Sequence, residues 1–192
     1  MEPLGRFLLR ELRVTRARWR LERELRGRYP TLTMERGVEL VRPERLTLGR
    51  NVSFQRDTIV HCGGLDWSGG EGSITIGDDS VISAHCVLFG AGHIVIGRGF
   101  DCGPGTMIFS SRSDFDANAA GRLPRRHVFA PVTIGDFVTV FAGCVIGPGV
   151  TIGSGAAIGA GSVVLDDVEA GWLYAGSPAR RIRPVNAGGG AS

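Results

Sequence analysis

Proton transfer near neutral pH calls for an imidazole, and this 192-residue chain has four: His61, His85, His93 and His127. Groups suited to accompany such chemistry are close in sequence to the last two. Ser111, Ser113 and Asp114 can hydrogen-bond a hydroxyl-bearing substrate, and Asp114 can orient a nearby imidazole. Trp67 offers a flat apolar face on which a sugar ring can stack, or it only packs over neighbouring structure. His127 stands beside Arg125 and Arg126 in a long insertion and can fold over a site, although loop histidines are ordinarily solvated. His61 precedes a cysteine and receives no role. His93 is the general base expected from this set, for a reason that lies in the elements holding it.

Those elements follow from one periodicity. Ile134, Val140, Ile146, Ile152, Ile158 and Val164 recur at six-residue intervals, glycine follows most of them, and the fourth residue after each is small or β-branched: Val138, Cys144, Val150, Ala156, Ser162 and Val168. Neither an α-helix nor an ordinary strand has this period. A hexapeptide repeat of this kind builds an all-β solenoid, a parallel β-helix whose short strands bend at small-residue corners and stack aliphatic side chains inward. Towards the N-terminus the same spacing yields Leu48, Phe54 and Val60, then Ile76, Ile82 and Leu88, then Ile96, Cys102 and Ile108. With three hexapeptides per turn, about five coils run from Leu48 to Glu169. The phase slips at Asp66 to Thr75, at Ile94 and Val95, and at Asp114 to Thr133, so all three insertions leave at one corner, where a repeat protein builds its binding surface. His93 and Ser113 are each the eighteenth residue of a coil, which places them about one strand spacing, ~4.8 Å, apart on that corner.

Composition narrows the function. Nearly half of the residues are apolar, enough for one domain and not two, and no hydrophobic stretch is long enough for a membrane span or a secretory signal; the expectation is a cytoplasmic protein. Residues 1–56 contain fourteen arginines and seven acids, the remainder eight and twelve, and there is no lysine. This imbalance reads as a solvated surface, with no nucleic-acid partner expected. Cys62, Cys86, Cys102 and Cys144 form no C-x-x-C pair, so they read as buried thiols, and neither a metal site nor a disulfide framework is expected. Gly5 to Arg28 reads as a basic amphipathic helix ended by Pro30; it packs on the protein or lies on an anionic membrane surface. The domain organisation is thus a helix and lead-in over 1–47, a repeat domain over 48–183 and a glycine-rich disordered tail over 184–192.

The run from Ala130 to Val164, the closing segment Tyr174 to Ile182, and His61 to Gly70 resemble the hexapeptide-repeat acyltransferases, in particular sugar and polysaccharide O-acetyltransferases of the maltose, galactoside and colanic-acid type. The resemblance implies a left-handed β-helix, a homotrimer with active sites between subunits, acetyl-coenzyme A as acyl donor and a saccharide or lipid-linked saccharide as acceptor. It further implies that coenzyme A lies along the outer coils, against Ala142, Gly143 and Ala160, and that His85 occupies the place of an asparagine that contacts the acceptor. Two departures stand out. Serine, at Ser113, stands where the family has its catalytic histidine, and Asp166 stands where many relatives have a lysine near the coenzyme A phosphates, leaving Arg180 and Arg181 to compensate. The expected activity is acetyl-coenzyme A dependent O-acyl transfer to a saccharide, exopolysaccharide precursor or glycolipid hydroxyl. The alternatives are a catalytically silent trimer that binds a saccharide or a protein, and a metal-dependent lyase of the γ-carbonic anhydrase kind, for which His85 and His93 have the wrong spacing.

Overall fold

The computed structural model describes residues 19–118 and 126–185. The chain forms two units, one up to Leu32 and one from Thr33 onward. In the first, residues 19–28 are helical. The rest of the expected Gly5 to Arg28 helix, with the leucine stripe at Leu4, Leu8 and Leu12, lies outside the described residues.

The second unit is a three-sided stack. The chain passes through three parallel sheets in rotation, because each hexapeptide supplies two or three extended residues and then a corner that a small side chain permits. The first face stacks Thr33–Met34, Ser53–Phe54, Val81–Ile82, Asp101–Cys102, Thr139–Val140, Ala157–Ile158 and Trp172–Gly176. The second stacks Glu39–Val41, Ile59–His61, Val87–Phe89, Met107–Phe109, Val145–Ile146 and Val163–Val164. The third stacks Leu46–Leu48, Ile74–Ile76, Ile94–Ile96, Val132–Ile134 and Thr151–Ile152. The repeat anchors point inward as identical levels: Ile108 pairs with Leu88 and Ile146, and Ile134 with Ile96 and Ile152. All of these are buried. So are the small corner residues from Val138 to Val168, and the buried corner hydroxyls are satisfied locally, as where Ser80 donates to the Gly77 carbonyl at 2.9 Å.

The stack starts one coil before Leu48, so part of the expected 1–47 lead-in belongs to it: Met34 pairs with Phe54 and Leu40 with Val60. Only two in-phase anchors precede a slip in that coil, too few to stand out as a repeat. At the other end Ala179–Pro184 turns back antiparallel on Trp172–Gly176, so Pro184 belongs to a strand and not to a tail; residues 186–192 lie outside the described residues.

The outward faces differ. The third presents Thr47, Thr75, Val95, Thr133 and Thr151, whereas the second presents an aliphatic column of Ile59, Val87, Met107, Val145 and Val163. All the insertions leave from the corner between the second and third faces.

Candidate functional site

At that corner the chain leaves the stack after Ser110 and rejoins it at Ala130. The Ala130 amide donates to the Ser110 carbonyl at 3.0 Å, while the Gly92 amide donates to Ser110 Oγ at 2.8 Å and Ser110 Oγ to the Phe89 carbonyl at 3.0 Å. Above this closure Ser111–Ser113 and His127–Phe129 form an antiparallel hairpin in which Ser111 faces Phe129 and Ser113 faces His127. Directly opposed residues point to the same side, so Ser111, Ser113, Phe129 and His127 share one face. A short helix, Phe115–Asn118, follows the outgoing strand.

The coil two levels earlier supplies Trp67 from a 3-10 turn at Asp66–Ser68, where Ser68 Oγ both accepts from the Leu65 amide at 3.2 Å and donates to the Leu65 carbonyl at 2.8 Å. The indole reaches the hairpin. Its ring centroid lies 4.5 Å from His127, 5.8 Å from Phe129 and 6.2 Å from Phe89, and His61 stacks on Phe89 at 4.6 Å. Trp67, Phe89, Phe109, Ser111, Arg112, Ser113 and His127 line an open pocket of about 330 Å³. Apolar rings together with hydroxyls, a guanidinium and an imidazole suit a ligand with an apolar face and polar edges, such as a sugar ring.

Trp67, Ser111, Ser113 and His127 are therefore brought together, and Asp114 continues the same strand, its amide donating to the Arg126 carbonyl at 3.0 Å. Arg125, expected beside them, lies outside the described residues. His93 does not stack on Ser113. The insertion begins at Ser111 rather than after Ser113, so the residues level with His93 are Ser73 and Pro131, as the pairing of Ile94 with Ile74 and Val132 requires. His93 Nδ1 lies 2.9 Å from Ser73 Oγ, and the His93 carbonyl accepts from the Val132 amide. His85 belongs to another corner, between the first and second faces, with Nδ1 3.9 Å from Asp57 Oδ2. Ala142, Gly143 and Ala160 stack along that same corner, the Gly161 amide donating to the Ala142 carbonyl at 2.9 Å. Arg180 and Arg181 lie on the C-terminal strand and are paired, Arg180 with Asp166 at 3.2 Å and Arg181 with Glu169 at 3.0 Å.

Sequence reasoning missed Phe89, Phe109 and His61. The signal was present: the residue after each second-face anchor gives the column Val41, His61, Phe89 and Phe109 in register. Cys62, beside His61, is no nucleophile, since burial, with a smaller effect of Glu44, pushes its thiol up to about 12. Among the described residues no three His, Cys, Asp or Glu side chains converge as metal ligands, and no helix is long and apolar enough to cross a membrane.

Residues 131–166 match the family model of the bacterial transferase hexapeptide (six repeats). No curated protein matches the chain significantly. Among solved structures the chain is similar to VCA0836, a hexapeptide-repeat containing acetyltransferase from Vibrio cholerae, at 28% identity over 75% of this chain and 77% of that one, with a TM-score of 0.64. The same protein complexed with acetyl-coenzyme A gives 25% identity over 79% and 72%, with a TM-score of 0.55. AntD, an N-acyltransferase from Bacillus cereus in complex with dTDP and 3-hydroxybutyryl-CoA, shares the fold at 23% identity over 81% of each chain, with a TM-score of 0.69.

Proposed function

We propose that the protein is an acetyl-coenzyme A dependent O-acyltransferase acting on a saccharide or a saccharide-bearing lipid. The pocket formed by Trp67, Phe89, Ser111, Ser113 and His127 supports this reading most directly, because it joins a stacking surface to hydroxyl partners and an imidazole. The hexapeptide match and the similarity to an acetyltransferase that binds acetyl-coenzyme A support the donor. Attack of the acceptor hydroxyl on the thioester carbonyl needs positioning, removal of one proton and stabilisation of one oxyanion, and the pocket's hydroxyls and imidazole suit the first two.

The working form proposed is a left-handed homotrimer in the cytoplasm. Within one chain the acceptor pocket and the small-residue ladder Ala142, Gly143 and Ala160 occupy opposite edges of the second face. A neighbouring copy brings its ladder to the pocket when the chains meet across that aliphatic face, and the donor then lies between them. The Arg180–Asp166 pair at 3.2 Å supports a donor groove in which the acid at position 166 adds no net repulsion for a phosphate. Helical residues 19–28 add basic side chains that suit a lipid-linked acceptor at a membrane surface.

Release of the coenzyme A thiol, measured with acetyl-coenzyme A and a panel of mono- and oligosaccharides, tests the reading. Transfer with a KM for the acceptor that rises several-fold in Trp67→Ala is expected, since an aromatic stack contributes about 0.5–1.5 kcal/mol. Coenzyme A binding without transfer to any acceptor supports instead the silent trimer, a reading that Ser113 in the family's histidine position favours.

A further inference from the structure

We propose that His127 is the general base of this site, standing across the hairpin from Ser113. The inference rests on the acyltransferase reading above. Its basis is the register. The closing bonds from Ala130 to Ser110 and from Asp114 to Arg126 make 110/130 and 114/126 hydrogen-bonded levels. Ser113 and His127 therefore form a non-hydrogen-bonded pair, the level at which opposed side chains lie closest, with Cβ atoms about 4.5–5.5 Å apart. An imidazole on either member of such a pair reaches nearly the same point of the pocket.

One further observation separates His127 from the other histidines, and two more suit it to the task. It alone of the four lines the pocket. Its ring is held by packing, against Trp67 at 4.5 Å and Phe129 at 6.3 Å. Among the described residues nothing hydrogen-bonds either of its ring nitrogens; His61, His93 and His85 each engage Nδ1, with Gly63, Ser73 and Asp57 respectively, and none of the three lines the pocket. A base must keep a nitrogen open for the acceptor's proton. Among the described residues His127 does, and packing against Trp67 and Phe129 holds its ring.

In the step itself the acceptor oxygen bonds to the thioester carbonyl carbon as its proton passes to the neutral imidazole. The tetrahedral intermediate then collapses, the C–S bond breaks with its electron pair going to sulfur, and the imidazolium returns the proton to the departing thiolate. Ser113 and Ser111, on the same face, orient the hydroxyl. Charged or titratable groups around the ring are Arg126 on its own strand, Arg112 and Asp114 on the partner strand, Asp66 beside Trp67, and His61 beyond Phe89.

The test uses the full chain, acetyl-coenzyme A and the saccharide panel. A positioned base contributes about 10²- to 10⁴-fold, so His127→Ala is expected to lower kcat by that factor while its melting temperature and coenzyme A affinity stay near those of the unaltered protein. Free imidazole should restore part of the rate to His127→Ala, as should adding Ser113→His to it. The kcat of the unaltered protein should fall in acid, and this limb should vanish in His127→Ala. A folded His127→Ala that transfers at the original rate overturns the proposal and leaves the acyltransferase reading standing. A slow His127→Ala that keeps the acid limb and answers to neither rescue also overturns it, because His127 is then a packing residue. An unaltered protein that acetylates no acceptor overturns both readings.

Discussion

Gly92 lies beneath the point where the hairpin leaves the stack, and Gly92→Ala tests whether that point positions the pocket. A Cβ at Gly92 meets the Ser110 carbonyl oxygen first, then the Ala130 amide nitrogen at 2.9 Å and the Phe129 Cβ at 3.2 Å. Ordinary contact begins near 3.4 Å, so Ala130 must retreat by about 0.5 Å and Ser110 by more. Two of the three obstacles are backbone, joined to each other by the 3.0 Å bond that closes the hairpin, so the strain cannot be relieved by rotating a side chain. The displacement passes directly to Phe129 and, two residues earlier, to His127. Reactive constellations tolerate about 0.5 Å, and a misplacement of 1 Å costs up to about 10²-fold in rate. Overpacking of this sort destabilises by about 1–3 kcal/mol, which for a chain of this size is a melting shift of about 2–4 °C per kcal/mol. The expected result is a folded variant with kcat/KM for acetyl transfer reduced roughly 10- to 100-fold and a melting point lower by several degrees. A variant that loses the stability but keeps kcat/KM within about twofold refutes the reasoning, because the hairpin base then yields without carrying the pocket with it.

Asp78 is held below the usual carboxylate range, first by the Arg50 amide at 2.8 Å and then by the Arg50 guanidinium. A depressed folded value means that the contribution to stability is present above the unfolded value of about 3.9 and lost as pH falls through the folded one, so Asp78→Asn should lower the melting temperature at pH 7, with the difference closing as pH falls below the ordinary carboxylate range. Asp166→Asn releases Arg180 and should tighten coenzyme A binding by up to about fivefold in calorimetry, the range of an exposed charge pair; weaker binding would remove Arg180 from the donor groove. All four cysteines are buried, so an aromatic disulfide reagent at about pH 8 should titrate none of them in the native protein and four after unfolding.

The repeat was legible because burial on one side of a short strand demands an aliphatic at every sixth residue, and the corners demand small ones; Ile134 to Val164 satisfy both without interruption. The shared corner was legible for the same reason, since a phase slip counts extra residues wherever they leave. The partner of His93 was not. A slip gives the length of an insertion but not the residue at which the chain departs, and here Ser110 closes the coil through its own hydroxyl and carbonyl, three residues earlier than the count placed it. The aromatic column of His61, Phe89 and Phe109 was visible in the spacing but hidden by attention to inward positions. Cross-strand contacts such as Ser113 with His127 lie beyond any six-residue count, because pairing within the insertion follows its own antiparallel register.

Ala179–Pro184, the strand that runs backwards at the end of the stack, has a consequence for how the protein behaves in a crowded solution. A stack of parallel strands offers its last level as a template on which another chain can add, and Trp172–Gly176 would be such a level. Covering it with a strand of opposite direction that contains three arginines and ends in proline removes the match in both polarity and hydrogen-bonding pattern. Growth on that face is therefore blocked at this end, and a chain cut after Gly176 should aggregate more readily than the intact one.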